Sequence, residues 1–441
     1  MKKTFLLILM LAVIMQSMNS CKKESDPDPE PETPSDLQMA VFSDPHYHDP
    51  TLGISGEAFD AYLMQDRKMI AQSKPIIESV IQNLKKSSAS VILIPGDLTK
   101  DGEKMNHEKF AALLAELESA GKRVFVIPGN HDINNPQSFS YSGSATTLIP
   151  TVSAAEFSTI YAQFGYNEAL YRDPNSLGYV VTLNANTWLL AMDGCRYNEN
   201  GAVSITGGKF SDVSYLWIKE KLTEAKNKNI KVIGMVHHGL VEHYPGQSIM
   251  FAEYLLENWQ TTSAELADLG LQIVFTGHYH AQDIAKKDGA NGHFLFDIET
   301  GSLVTWPVPY RTVTFTTTNK LVVSTSHLTT LTGYPDFEAF SRTYLQQGMD
   351  TLVKLQLMYP PYSLPYEQTA MIAPLVVSGF IAHYHGDEVI DPITQGGVDA
   401  LIGMGGTAAL LGMSIQGMFS DPAPVDQNLE IDLTTGNITP K

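Results

Sequence analysis

Cysteine is nearly absent. The 441 residues contain two, Cys21 and Cys195. No disulfide framework can be built from them, and no thiolate cluster can hold a metal. Runs of Lys or Arg are missing as well. Acidic side chains outnumber basic ones, 48 to 29, and the formal net charge is −19. Such a surface repels polyanions, which argues against docking of long nucleic acid. A small phosphorylated substrate stays open, because bound cations dominate the field inside a cleft. Internal repeats are absent. Charged residues make up only 17% of the chain and hydrophobic residues 43%, a globular composition that excludes a disordered chain.

The N-terminus lacks a membrane span. Lys2 and Lys3 precede an apolar run of 11 residues, Phe5 to Met15. A spanning helix needs roughly 20. A short apolar core behind a positive end is the pattern of an export signal. Met18-Asn-Ser-Cys21 follows, and the segment resembles a bacterial lipoprotein signal in which the cysteine becomes the lipidated N-terminus. Met18 and Asn19 depart from the usual residues of that box. The resemblance implies an exported chain, lipid-anchored through Cys21 to a bacterial membrane on its periplasmic or cell-surface side. Lys22 to Pro34 reads KKESDPDPEPETP. Alternating Pro and acid favours an extended, solvated spacer.

From Leu37 onward, short apolar runs alternate with helical patterns, which predicts an α/β domain. LQMAVFSD, SVILIPGD, RVFVIPGNHD, TWLLAMD, NIKVIGMVHH and LQIVFTGHYH read as strands. Ile76, Ile77, Val80, Ile81 and Leu84 share one helical face, as do Phe110, Leu113, Leu114 and Leu117. His293–Ile298, Thr312–Thr317 and Leu321–Thr325 are expected as strands of a second sheet. Beyond Tyr334 the pattern turns helical. Gly396 to Gly417 is too glycine-rich to assign, and Asn428 to Thr435 reads as a closing strand. The expected organisation is a signal over residues 1–20, a linker over 21–36, a catalytic domain over 37–330 and a mostly helical appendage over 331–441.

What stands at the strand ends carries the chemistry. Apolar strands run into Asp44-Pro-His46, Gly96-Asp97, Gly129-Asn-His-Asp132, His237-His238 and Gly277-His-Tyr-His280. In α/β folds the carboxyl edge of the strands is where sites are built. Each motif alone is weak. In Gly-His-x-His, residues two apart in an extended segment would point the same way. His237 and His238, being adjacent, cannot both point the same way from a strand.

In this order the motifs resemble the calcineurin-like metallophosphoesterase superfamily, over roughly Val41 to Thr325. The resemblance implies two packed mixed β-sheets flanked by helices, with two metals at the sheet edge. It implies Asp44, His46 and His280 as ligands of a first metal, and Asn130, His237 and His278 as ligands of a second. Asp97 would bridge them. His131 would meet the substrate, with Asp132 orienting it. His238, His243 and His48 are candidates for the substrate side. Imidazole and carboxylate without thiolate suit two ions of Mn, Fe, Zn or Co. Two cations about 3.5–4 Å apart clamp a phosphate and lower the pKa of a bridging water. The expected reaction is in-line hydroxide attack on a small phosphoester, with His131 protonating the leaving oxygen.

The wording around FSDPHYHD, GDLTKDGEKMNH and PGNHDINNP is similar to exported bacterial phosphoesterases grouped with cyclic-nucleotide phosphodiesterases. A phosphodiester is therefore the first expectation, a cyclic nucleotide or another nucleotide- or lipid-derived diester. A phosphomonoesterase of nucleotidase type and a non-catalytic binding lipoprotein are the alternatives. Asp66 and Arg67 are expected as a surface ion pair, and His383-Tyr-His385 as structural or surface.

Overall fold

Apolar segments rich in β-branched residues become strands, and the amphipathic segments between them become helices. The computed structural model describes residues 35–360, 362–420 and 425–441. The expected signal, Cys21 and nearly all of the linker lie outside the described residues. Two seven-stranded sheets carry the architecture. The first runs β16 (Asn437–Pro440), β15 (Asn428–Asp432), β14 (Lys320–His327), β13 (Pro309–Phe315), β1 (Leu37–Val41), β2 (Val91–Ile94), β3 (Arg123–Val126). The second runs β11 (Ile284–Asp288), β12 (Phe294–Glu299), β10 (Ile273–Thr276), β9 (Lys231–Met235), β8 (Thr187–Ala191), β7 (Tyr179–Asn184), β6 (Tyr171–Arg172). A small hairpin joins β4 (Phe139–Ser142) and β5 (Ala145–Leu148).

Each sheet is mixed. β1, β2 and β3 are parallel, as are β8, β9, β10 and β12. Parallel neighbours end at the same edge, so their following loops meet there. Side chains alternate between layers. Leu189, Ile233 and Phe275 join one core with Val41, Leu93 and Val126 of the first sheet. Their neighbours Trp188, Leu190 and Val274 turn to a second core with Ile218, Leu222 and Leu266, from helices α3 (Asp212–Asn227) and α4 (Trp259–Asp268). On the first sheet, α1 (Ser73–Lys86) and α2 (Lys104–Ser119) add Ile76, Val80, Leu84, Leu114 and Leu117 to the first core.

The later strands are divided differently from expectation. β12 lies in the second sheet, whereas β13 and β14 complete the first. Burial explains the division. All six residues of β12 are buried, as suits a strand covered on both faces. In β13 full and partial burial alternate, as suits a strand covered on one face.

The C-terminal region holds four helices, α5 (Phe337–Met358), α6 (Tyr366–His385), α7 (Pro392–Met404) and α8 (Gly406–Met418). They form a third core with Tyr244, Tyr279 and Trp306 of the body. The glycine-rich stretch left unassigned is thus helical. Residues 428–440 are not part of this helical group: β15 pairs with β14 and extends the first sheet. Among the described residues no helix is long and apolar enough to cross a membrane.

Candidate metal centre

The chain turns sharply where the parallel strands end. Asp44, His46, Asp97, His278 and His280 all have φ between 39° and 74°. Among the described residues twelve non-glycine positions have positive φ, so this site holds five of them. The left-handed region costs L-residues about 1–2 kcal/mol each. Surrounding bonds hold the turns in place. Ser43 Oγ donates to Asp44 Oδ2 (2.5 Å), the His278 amide to the same oxygen (3.1 Å) and Ser302 Oγ to the Asp44 carbonyl (2.7 Å). Close approach dictates Gly129: a Cβ there would overlap the carboxylate and amide of Asp97. Gly96, at φ +104°, would likewise drive a Cβ into the His237 ring.

The side chains gather into two groups. Asp44, His46, Asp97 and His280 form one, Asp97, His237 and His278 the other, and Asp97 belongs to both. In the first, the Nε2 atoms of His46 and His280 lie 3.2 Å apart. His46 Nε2 is 3.6 Å from Asp97 Oδ2, and His280 Nε2 is 3.4 Å from Asp44 Oδ1. In the second, His237 Nε2 is 3.4 Å from Asp97 Oδ2 and 3.2 Å from Asn130 Oδ1. Two buried imidazoles whose Nε2 atoms converge this closely, beside carboxylates, leave room for a shared cation between their lone pairs. The Nδ1 atoms of His46 and His280 are buried without partners. The residues therefore fit two cations, with Asp97 placed to serve both groups.

Electrostatics agrees. Burial, then Lys68, holds His46 well below the usual histidine range. Burial lowers His280 to about 4 although Asp44 opposes it. Burial and then His238 and His237 hold His278 low. All three are neutral donors, the form a metal requires. His237 differs: burial works against its charge, yet Asp97 raises it to about 9. Burial likewise opposes ionisation of Asp97, but His237 and His131 keep it well below the usual carboxylate range. A proton on His237 holds the place that a cation would take.

The adjacent histidines separate by their partners. His237 Nδ1 donates to the Pro95 carbonyl (2.8 Å), which aims Nε2 at Asp97. His238 Nε2 meets the Thr206 carbonyl (2.9 Å), and its ring packs behind His278 with centroids 4.4 Å apart.

His131 is the ring that reaches solvent, with a side chain 24% exposed against at most 5% for His46, His237 and His280. Its Nε2 lies 3.9 Å from Asp97 Oδ2 and its Nδ1 donates to Asp101 Oδ1 at 2.9 Å. Burial opposes its charge, but Asp97 and then Asp101 raise its pKa. Asp101 is held well below the usual carboxylate range by the neighbouring Lys100 ammonium despite burial, so it stays anionic.

Residues 37–282 match the family model described as calcineurin-like phosphoesterase. The chain belongs to that family. It is a metal-dependent phosphoester hydrolase with a dinuclear metal centre. Similar solved structures include a dimetal phosphatase from Danio rerio, at 14% identity, covering 67% of this chain and 97% of that one with a TM-score of 0.49. A putative 5'-nucleotidase from Staphylococcus aureus, at 14% identity, covers 72% and 58% with a TM-score of 0.38. The NAD nucleotidase of Haemophilus influenzae, at 12% identity, covers 77% and 60% with a TM-score of 0.33. No curated protein sequence matches the chain.

The phosphoesterase site differs from the sequence expectation in four respects. First, Asp132 does not touch His131. Its carboxylate accepts from the amides of Leu98, Thr99 and Gly129 at 2.8–3.0 Å and so ties two ligand loops together. Asp101 takes the orienting role, and sequence reasoning missed it; the Asp-Gly turn five residues after Gly96 was the available signal. Second, His278 and His280 sit in left-handed turns and not in the extended segment that their spacing predicts. Third, the substrate-side candidates are buried. His48 Nε2 meets the Gly53 carbonyl (3.0 Å), and His48 stacks on Phe59. His243 pairs with Asp283 (2.8 Å) and lies near Asp297 and Glu299. His238 is fully buried too. Fourth, Asp66 is not a surface group. It pairs with buried Lys68 (3.3 Å), while Arg67 Nε donates to Tyr384 Oη (2.6 Å).

Proposed function

We propose that this protein hydrolyses phosphodiesters, with Asp44, His46 and His280 around one metal, Asn130, His237 and His278 around the other, and Asp97 shared. The observation that carries the reading is the sharing of Asp97 by two ligand groups beside a solvent-facing His131. Bound cations would polarise the phosphoryl oxygens and make water acidic there. His131, whose protonated form Asp97 and Asp101 favour, would give its Nε2 proton to the departing oxygen. Pro95 and Glu253 carbonyls, on His237 and His278, would hold those rings in one tautomer. Mn, Fe, Zn and Co all suit this oxygen and nitrogen donor set.

Turnover of bis-(4-nitrophenyl) phosphate against 4-nitrophenyl phosphate, with Mn or Zn supplied, tests the choice of ester. Asp97→Ala should lose metal from both sites and lower turnover by at least about a thousandfold, on the scale of a lost electrostatic group. Unchanged metal content and rate would defeat the assignment. A monoesterase is the second reading. Arg67 and Lys68 favour it, because both stand near enough to His280 to depress its pKa and a dianionic monoester needs such charge.

We also propose that Cys21 carries a lipid and tethers the enzyme outside the cytoplasm through the acidic, proline-rich linker. The residues supporting this are the short apolar run behind Lys2 and Lys3 and the cysteine after it. Cys21→Ser should abolish labelling by radioactive palmitate and move the protein from the membrane fraction to the soluble one. Membrane retention without label would reject the anchor.

A further inference from the structure

A cavity of about 260 Å³ lies beside the metal-ligand loop. Tyr279, between the ligands His278 and His280, forms one wall, and Tyr254 adjoins it at 4.7 Å between ring centroids. Tyr254 also packs against the His278 ring at 4.8 Å, and the Glu253 carbonyl accepts from His278 Nε2. One wall of the cavity thus packs directly against the second ligand group. Its far walls come from the C-terminal helices: Met349 and Val353 of α5, Val376 and Phe380 of α6, Leu411 and Ile415 of α8. Arg67 supplies a cation to the lining.

Three features define an occupant. Apart from Arg67, Glu253, Gln356 and Ser414, the walls are aliphatic and aromatic with flexible methionine, which favours an apolar guest of variable shape over a base needing fixed hydrogen bonds. The volume falls just below the roughly 300–1,000 Å³ of drug-sized pockets, so the guest is slender. Positive charge stands in the lining itself, where Arg67 Nε donates to Tyr384 Oη. The helices α6, α7 and α8 are also apolar outside. Met371, Ile393, Met404, Leu410 and Met413 are all more than half exposed, as is Ile249 of the short helix Gln247–Met250.

From this we infer that the organic arm of the phosphoester is a hydrocarbon chain, drawn from a lipid surface and seated between Tyr254, Tyr279 and helices α5, α6 and α8. The inference rests on the phosphodiesterase reading for the reaction, but not for the cavity. The helical region would then both touch lipid and measure the chain. With a net charge of −19, the matching surface is zwitterionic, not anionic.

The test compares 4-nitrophenyl methyl phosphate with 4-nitrophenyl octyl phosphate, using the full chain loaded with metal and esters below their micellar concentrations. Each buried methylene is worth about fourfold. The octyl ester should exceed the methyl ester in kcat/KM by on the order of 100-fold, allowing for partial burial. Ile415→Trp, which fills the cavity, should bring the ratio near one; Leu411→Phe replaces it if that variant does not fold. Turnover of the methyl ester with no gain for octyl would overturn the chain site and leave the phosphodiesterase reading standing. If neither ester is cleaved, that reading fails, and calorimetry with dodecyl phosphate decides the cavity alone: binding lost in I415W supports it, no binding to wild type rejects it. Phosphatidylcholine vesicles separate the sources. Cosedimentation weakened at least tenfold by the pair Ile393→Glu and Met404→Glu supports a lipid surface, whereas a retained octyl preference without vesicle binding overturns that source in favour of a free amphiphile.

Discussion

Asp101 shows how one side chain sets the work of another. It accepts from His131 Nδ1 at 2.9 Å, while Lys100, itself fully buried, pairs with Asp101 and Glu103. The imidazole is thereby aimed with Nε2 toward Asp97. Asp101→Asn keeps an acceptor and removes the charge. It should lower kcat by about 10–100-fold with metal content unchanged. His131 would lose a neighbour that raises its pKa, so the alkaline limb of the rate profile should move to lower pH. An unmoved limb would refute the positioning role. The side chains that gather into the two groups were legible because they stand where apolar runs end and polar residues are conspicuous. Asp101 was not, because it lies in a polar loop and its partner arrives from a different strand. His243 was misjudged for a similar reason: its acids, Asp283, Asp297 and Glu299, come from distant strands and loops that only the fold assembles.

At the scale of elements, the strands and the first C-terminal helices read well, whereas the glycine-rich helices α7 and α8 did not. Glycine carries two opposite meanings, a turn or a close contact, and composition alone cannot separate them. In α8 a Cβ at Gly412 would meet Leu401 and Ile402 of α7 at 2.9–3.0 Å, and one at Gly397 would press on Leu375. The glycines let helices approach. Gly412→Leu should therefore cost about 1–3 kcal/mol by overpacking. Gly396→Ala, at an open helix position, should instead stabilise by roughly 0.5–1 kcal/mol. Thermal denaturation of the two variants checks both signs; a neutral Gly412→Leu would contradict the packing account. The turns at the strand ends were illegible for another reason. Sequence alternation predicts extended chain, whereas five ligand residues adopt left-handed conformations held by bonds from other loops.

The whole molecule is bound together below the active edge by a buried charge cluster. His243 follows β9, Asp283 precedes β11, Asp297 and Glu299 lie on β12, and His383 with Glu388 come from α6 and its end. His383 Nδ1 lies 2.7 Å from Glu388 and 3.5 Å from Asp283, so the cluster joins the helices to the second sheet. Burial opposes a charge on His243, but Asp283 and Asp297 raise its pKa well above the usual value. A histidine raised in the folded state contributes stability in full below its unfolded pKa, near 6.5, and loses it as pH rises through the folded value. Burial also raises Glu299 well above the carboxylate range, which adds the same sign. The melting temperature should therefore fall as pH climbs above about 6.5. His243→Gln should cost about 3–5 kcal/mol at pH 6, as removal of one partner from a buried ion cluster does, and should flatten the fall. A variant as pH-sensitive as the wild type would exclude His243 as the source.

The return of β15 and β16 to the first sheet has a consequence for biosynthesis. Strand β14 pairs with β13 on one side and with β15 on the other, while the chain between them makes four helices. On the ribosome, the catalytic loops and both sheets' parallel strands are available long before residues 428–440 emerge. Until then β14 presents an open hydrogen-bonding edge, the kind of edge that recruits other chains. The closing hairpin acts as a late fastener. A nascent enzyme can assemble its metal-binding groups early, yet it stays vulnerable to mispairing until β15 and β16 are made.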